Sequence, residues 1–263
     1  VYALPLYHRN IYGDRNPGQV KELGDVGNDI AIYGSKLWIV VNCSNKVEVC
    51  DARSTRHLGQ IDIPNGRYLA FDRQYAYVSS YAGPVQIDEN TTLGRVYKVD
   101  TLTLQKVDSL TVGYQPEEMA VIGNKLYVAN SGGYRVPYYD NRLSVIDLTT
   151  FEVSEQVEVG INLHHVAADR YGQLWVSSRG DYYDEPPALY WLKDNQVKGK
   201  IDVPVSSMYL KGDSLFYIGT DFNNINGGYT KGFGLVDVRS HQSIDTELFA
   251  ADEISRMTLP YGL

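Results

Sequence analysis

Cysteine is scarce. Cys43 and Cys50 are the two present among 263 residues, which makes no disulfide framework and no zinc pattern. Cys50 falls where an apolar residue of a buried strand is expected, so a core thiol and a cross-strand bridge within one hairpin both remain open. Positive charge is also short: Lys and Arg number 24 against 32 Asp and Glu, a net charge of −8. That leaves no basic footprint for nucleic acid. No window approaches a membrane-spanning apolar run, so no transmembrane helix is expected. The chain opens at Val1 with neither Met nor a signal-peptide pattern, which reads as a trimmed N-terminus with any targeting segment out of view. Catalytic signatures are missing too. There is no Gly-x-Ser-x-Gly elbow, no phosphate loop and no His-Glu-x-x-His, and no stretch keeps a helical period of apolar residues.

Tyrosine, by contrast, is abundant at 22 residues. Tyrosine suits strands and also supplies flat amphipathic surface at binding sites. A repeat separates the two uses. Five segments share one grammar, an apolar run, a turn, then an aromatic-containing run; examples are Ile30-Ala-Ile-Tyr-Gly-Ser-Lys-Leu-Trp-Ile and Met119-Ala-Val-Ile-Gly-Asn-Lys-Leu-Tyr-Val. The turns Gly34-Ser35, Gly123-Asn124 and Gly212-Asp213 carry two-residue hairpin chemistry. The aromatic anchors Trp38, Tyr77, Tyr127, Trp175 and Phe216 are spaced by 39, 50, 48 and 41 residues. A third run follows each pair and closes, in four of the units, on Asp51, Asp100, Asp147 or Asp237, where a short carboxylate can bond its own backbone. A fourth run ends at Pro64, Gly113, Gly160 or Pro204.

Four short strands per unit of this length predict an all-β fold, a β-propeller of four-stranded blades. The repeats fall at approximately 25–64, 65–113, 114–160, 161–204 and 205–255. Thr258-Leu-Pro-Tyr-Gly-Leu resembles the opening of the third unit at Gln115-Pro-Glu-Glu-Met-Ala. A single propeller domain over 1–263 is therefore expected to break off inside a sixth blade, as a fragment of a larger propeller. Val1 to Tyr12 are expected as outer strands of a closing or first blade.

Val112-Gly-Tyr-Gln-Pro-Glu-Glu-Met-Ala, Leu126-Tyr-Val-Ala-Asn-Ser-Gly-Gly and Leu143-Ser-Val-Ile-Asp-Leu resemble the YVTN/YncE-like seven-bladed propellers. Trp175-Val-Ser-Ser-Arg-Gly-Asp-Tyr-Tyr and Leu259-Pro-Tyr-Gly look like their Bacteroidetes surface-protein branch. The resemblance implies an extracytoplasmic protein, periplasmic or lipid-anchored at the outer-membrane surface. One group of that branch captures cobalamin beside a TonB-dependent transporter. A small-molecule ligand such as a corrinoid, or a cell-surface protein such as an outer-membrane transporter, is the implied partner. No ligand-contact motif transfers residue by residue.

In a propeller the loops between strands two and three share a face with the connections between blades. On that face the chain carries inserts at approximately 81–94, 131–141, 179–187 and 220–231, holding seven of the 22 tyrosines. The candidate ligand-binding residues are Tyr81, Tyr134, Tyr138, Tyr139, Arg179, Tyr182, Tyr183, Phe222, Asn223 and Tyr229, since Tyr and Asn on loops held by a rigid scaffold make adaptable contact surface. Ordinary solvated loops are the competing account. Aligning the units also puts one polar pair at the start of each inner strand: Asn28-Asp29, Arg67-Tyr68, Glu117-Glu118, His164-His165 and Ser206-Ser207. Asn28, Asp29, Arg67, Glu117, His164 and His165 are the candidate channel-mouth residues. Neighbours on a strand point to opposite faces, so the His pair is not expected to hold one metal ion, and no metal or cofactor is expected. A lactonase-like hydrolase would use Asn28, Asp29 and Glu117 around a divalent ion, but Arg67 and the His pair oppose a cation there. A non-enzymatic ligand-binding propeller is the expectation; a protein–protein scaffold stands beside it.

Overall fold

The computed structural model describes residues 9–19, 22–223 and 228–245. Five four-stranded antiparallel sheets follow one another along the chain, each with its strands in sequence order. Blade 1 comprises β1 (Gly27–Tyr33), β2 (Lys36–Val41), β3 (Lys46–Asp51) and β4 (His57–Asp62). Blade 2 comprises β5 (Gly66–Asp72), β6 (Tyr75–Ser80), β7 (Arg95–Asp100) and β8 (Lys106–Thr111). Blade 3 runs through β9 (Pro116–Ile122), β10 (Lys125–Asn130), β11 (Arg142–Asp147) and β12 (Glu152–Glu158). Blade 4 has β13 (Leu163–Ala168), β14 (Leu174–Ser178), β15 (Ala188–Lys193) and β16 (Gln196–Ile201). Blade 5 has β17 (Ser207–Lys211), β18 (Ser214–Asn223), β19 (Gly228–Asp237) and β20 (Gln242–Asp245). The first strands of consecutive blades lie against one another, which is the arrangement of a propeller around its axis.

Alternation along the strands explains how blades join. In β10, Leu126 and Val128 enter the core shared with blade 2, while Tyr127 and Ala129 enter the core shared with blade 4. Trp38 and Val40 of β2 likewise meet Leu69 and Val78 of blade 2, and Trp175 of β14 meets Leu215 and Val236 of blade 5. A strand buried on both faces needs an apolar residue at every position, and the continuous apolar runs supply it.

The tight turns follow local chemistry. Gly34, Gly123 and Gly212 take φ of 60°, 59° and 64° between β1–β2, β9–β10 and β17–β18, a conformation that costs glycine little. The carboxylates of Asp51, Asp100, Asp147 and Asp237 each accept backbone N–H groups two and three residues on. These bonds, preceded at Asp51 by one from the Ser54 hydroxyl, hold all four below the usual carboxylate pKa range. Their role is to close turns.

Two expectations are corrected. Residues 220–223 and 228–231 are strand and not part of a loop insert: β18 and β19 extend so that Phe222 pairs with Tyr229 and Asn223 with Gly228. Cross-strand pairing continues there because Thr220, Phe222 and Tyr229 favour extended backbone. Ile11–Arg15 form a short helix, α1, instead of an outer strand. Tyr12 is buried against blade 1, its hydroxyl donating to Glu48 Oε1 at 2.8 Å. Residues 1–8, and the sixth-blade opening expected from Thr258 onward, lie outside the described residues. Cys43 is exposed, Cys50 is buried, and both are free thiols.

Candidate functional site

Four of the five inner strands, β1, β5, β9 and β13, begin irregularly. The β5–β6 register shifts between Gly66 and Leu69, and the β13–β14 register between Leu163 and Val166. Such bulges re-aim side chains. Ser79 Oγ accepts the Tyr68 N–H at 3.0 Å and Ser177 Oγ the His165 N–H at 2.9 Å, replacing ladder bonds that the bulges break. The polar pairs of blades 1 to 4 stand at these irregularities.

Members of the first four pairs tie their blade to the next. Asn28 Nδ2 donates to the Arg67 carbonyl at 2.6 Å, and Asp29 Oδ2 accepts the Leu69 N–H at 2.8 Å. Glu118 Oε2 accepts the Val166 N–H at 3.0 Å and contacts His165 Nδ1 at 2.9 Å, while His165 Nε2 lies 2.8 Å from the Ser206 carbonyl. His165 therefore bridges blades 3, 4 and 5.

Arg67, Glu117 and His164 form a second, connected set. Arg67 Nε donates to Glu117 Oε2 at 3.1 Å, and His164 Nε2 lies 3.9 Å from the same oxygen. Glu117 Oε1 accepts the Tyr81 hydroxyl and, at 3.4 Å, the Ser131 hydroxyl. Arg67 also lies over the Tyr81 ring, 4.7 Å from its centroid. Burial opposes the Arg67 charge, but Glu117 and the Tyr81 and Tyr68 hydroxyls outweigh it, and its pKa is raised. Burial, then Glu117, pushes the Tyr81 hydroxyl well above its ordinary value.

His164 is 4% exposed. Its Nε2 is approached by Arg179 Nη2 at 2.8 Å and by the Tyr68 hydroxyl at 3.2 Å. Burial first, then His165, Arg179 and Arg67, holds its pKa well below the usual histidine value, so the ring is neutral. Because a guanidinium only donates, Nε2 must accept and the proton resides on Nδ1. Nδ1 is buried without a hydrogen-bond partner. A buried donor left unmade costs on the order of 1–3 kcal/mol, a cost that an acceptor atom of a ligand would remove.

The two groups of candidates, insert and channel mouth, thus meet. Tyr81, Ser131 and Arg179 are the first residues of their inserts, each following the last residue of a second strand, and all three turn into the inner-strand ring. Tyr81 is 3% exposed, so it belongs to the ring and not to the loop surface. The remaining insert residues form a rim. Tyr134 packs edge-on to Tyr81 at 6.3 Å, and its carbonyl accepts the Asp88 N–H at 3.0 Å. Arg135 donates to the Glu89 carbonyl at 3.1 Å and covers the Tyr114 ring at 3.7 Å, which joins the inserts of blades 2 and 3. Tyr139 is half-buried, and its hydroxyl pKa is raised by burial and by Tyr182, Asp181 and Tyr183. Tyr138, Tyr182 and Tyr183 are 58%, 49% and 82% exposed. In the blade 4 insert, Gly180 takes φ 64°, and a Cβ there would stand 2.0 Å from the Glu185 carbonyl oxygen, so glycine is required. Phe222, Asn223 and Tyr229 lie on the long β18–β19 hairpin, away from the loop inserts in sequence; their side chains are outside the described residues.

Sequence reasoning missed a further device. Val26, Asn65, Gln115 and Asn162 each take a left-handed φ of 47–55° just before an inner strand. Their carbonyls accept the N–H groups of Asn42, Tyr81, Ser131 and Arg179. Asn162 Nδ2 donates to the Gly180 carbonyl at 3.0 Å, and Gln115 Oε1 accepts the Tyr134 N–H at 2.7 Å, so these side chains also brace the inserts. The findable signal was constant position before each polar pair. A cleft of about 330 Å³ opens on this face between blades 1 and 2, lined by Asn42, Cys43, Pro64, Asn65 and Val85 among others.

Among the described residues no group of three or more His, Cys, Asp or Glu is placed to hold a metal ion, and no helix is long and apolar enough to cross a membrane. Sheets stacked about their first strands, with a buried polar ring under a tyrosine rim, define a β-propeller-like protein. The chain belongs to the DUF5074 family, a domain of unknown function, whose model matches residues 3–263. No curated protein matches it. Among solved structures it resembles hydrazine synthase from Kuenenia stuttgartiensis at 17% identity and a TM-score of 0.70, covering 81% of this chain and 63% of that one. The chain thus spans less than two thirds of that structure. A protein of unknown function from Bacteroides caccae matches at 11% identity and a TM-score of 0.57, covering 84% and 81% of the two chains. The computationally designed Ika8 protein matches at 10% identity and 0.56, covering 87% and 65%. These likenesses concern the fold.

Proposed function

We propose that this chain is a non-enzymatic, extracytoplasmic binding module that captures a small-molecule ligand, a corrinoid or another nutrient, across its long-loop face. The observation that carries the reading is the buried, unpartnered Nδ1–H of His164, at the junction of the inner-strand ring and the inserts. A ligand acceptor reaching that donor would be anchored there, while Tyr138, Tyr182 and Tyr183 offer exposed flat contact area on the inserts. Glu117 argues against general-base work, since Arg67, Tyr81 and Ser131 already engage both its oxygens. The metal-dependent alternative meets a similar obstacle: Asn28 and Asp29 are taken up by bonds to blade 2. The extracytoplasmic setting and the corrinoid rest on resemblance to the surface-protein branch of the YVTN/YncE-like propellers.

A second reading, a scaffold for a surface protein, is favoured by exposed apolar residues on the same inserts. Val85, Ile87 and Val136 are exposed beside the tyrosine rim, and such patches mark contact surfaces. Calorimetric titration with cyanocobalamin, haem, soluble glycans and divalent cations tests the first reading. Saturable heat with one class is expected, lost in the Tyr138→Ala/Tyr182→Ala variant, with stability within about 0.5 kcal/mol of wild type because both are surface positions. Unaltered affinity in the variant, or no binding from any class, overturns it.

A further inference from the structure

On the opposite, tight-turn face the blades are sealed to one another by a repeated plug. The residue four positions after each turn-closing Asp is left-handed: Thr55, Leu104, Phe151 and His241 have φ between 55° and 60°. In blades 2 and 3 this residue is a hydrocarbon that covers the preceding blade. Leu104 lies over Gly59, where even an added Cβ would stand 2.6 Å from its Cδ1. Phe151 is buried against Tyr77, ring centroids 6.0 Å apart.

Blade 5 breaks this rule by placing a histidine there. His241 stacks on Trp191 at 3.7 Å and 12° between planes. Its orientation is fixed by a chain of bonds. Asp169 Oδ2 accepts Gln173 Nε2 at 2.9 Å and Trp175 Nε1 at 3.0 Å, which directs Gln173 Oε1 to His241 Nε2 at 2.7 Å. His241 Nε2 therefore carries a proton. Trp191 lies over Gly199, where a Cβ would stand 2.7 Å from its indole nitrogen, so glycine makes room for the ring.

Instead of a seal there is a cleft of about 420 Å³, lined by Trp191, His241, Tyr171, Lys193, Lys198 and Arg239 among others, with no carboxylate in its wall. Among the described residues none of the three cations is in an ion pair. Lys193 Nζ donates to the Tyr171 carbonyl and Lys198 Nζ to Gln196 Oε1 at 2.6 Å. Asp237, on the same turn as Arg239, accepts the N–H groups of Arg239 and Ser240 and feels the Arg239 charge without forming an ion pair with it. Three cations that make no ion pair among the described residues surround a stacked aromatic pair, in a chain of net charge −8.

We propose that this cleft is a second binding site, for a small molecule that joins a flat ring to a carboxylate or phosphate. The ring would lie against the Trp191–His241 pair and the anion would meet Lys198, Arg239 and Lys193, a pairing of aromatic floor and cationic wall that rewards both halves of such a ligand. The volume falls within the range of small-ligand sites. The inference is independent of any ligand on the long-loop face.

The test is titration with phenyl phosphate, followed by the indole N–H resonances of the three tryptophans, with inorganic phosphate and benzyl alcohol as anion-only and ring-only probes. A saturable shift of the Trp191 signal is expected, with that of Trp38, buried in blade 1, unmoved. Either half-probe should bind about tenfold or more weakly. Lys198→Glu/Arg239→Glu, both surface changes, should weaken phenyl phosphate by about tenfold or more. His241→Leu should restore the hydrocarbon plug and abolish the shift. Absence of a saturable Trp191 shift, an equal response to inorganic phosphate, or unchanged affinity in the charge-reversed variant overturns the proposal.

Discussion

Asp29 and His164 stand on the same ring of inner-strand residues and titrate in opposite senses. Burial pushes the Asp29 carboxyl up to about 6, against the lowering effect of the Leu69 and Ile30 N–H groups. Its folded pKa thus lies above the unfolded value, so ionising it costs the folded state. As pH falls through 6 that cost is relieved, and relief is complete below the unfolded value near 4. His164 has a depressed folded pKa; its contribution is present above the unfolded value of about 6.5 and is lost as acid protonates the unfolded chain. The two effects partly cancel in wild type, and Asp29→Asn separates them. We expect the stability of wild type relative to Asp29→Asn to rise by up to about 2 kcal/mol between pH 7.5 and pH 4.5, measured by urea denaturation at each pH. Parallel stability profiles for the two proteins would show that Asp29 titrates normally.

At the scale of elements, the left-handed residue before each inner strand governs how the long inserts leave their blades. Asn162 suits that conformation and uses its side chain to hold an insert; Val26 does not suit it. A β-branched residue in the left-handed region is strained by roughly 1–2 kcal/mol. Val26 is also exposed, so replacing it removes no core contact. Val26→Asn is expected to raise stability by about 1 kcal/mol, seen as a higher urea midpoint at unchanged slope; a lowered midpoint would mean that the side chain packs against something essential. Nothing in the type of Val26 or Gln115 announces a left-handed residue, which is why this device was not legible. Strand order, hairpin turns and Asp-closed turns were legible because each depends on local chemistry, and inserts 81–94, 131–141 and 179–187 fall between the observed strands. The β18–β19 extension was hidden because the Asn and Gly residues of 223–228 carry turn signals that a longer hairpin also satisfies. The polar pairs were visible by alignment. That Tyr81 and Arg179 turn inward to meet them was not, since both begin polar, tyrosine-rich loops that look solvated.

In the whole molecule, each apolar core is shared by two consecutive blades, and blade 3 touches blade 5 through nothing but blade 4 among the described cores. Stability in such an arrangement is close to a sum of nearest-neighbour seams. Polar clasps reinforce the seams unequally. Asp29 holds the Leu69 N–H across blades 1 and 2, Glu118 holds the Val166 N–H across blades 3 and 4, and the Arg67–Glu117–His164 set runs through blades 2, 3 and 4. Removing one clasp should therefore loosen its own seam before it affects another. In native-state hydrogen exchange, Glu118→Ala should speed exchange of the Val166 amide by about tenfold or more, the equivalent of one lost hydrogen bond to a charged group. The Leu69 amide, held by Asp29 two seams away, should keep its wild-type rate. If the Leu69 and Val166 amides accelerate together, opening is global and the blades form one cooperative unit; separate rates would mean that the central blades can hold the His164 ring in place while the outer seams open.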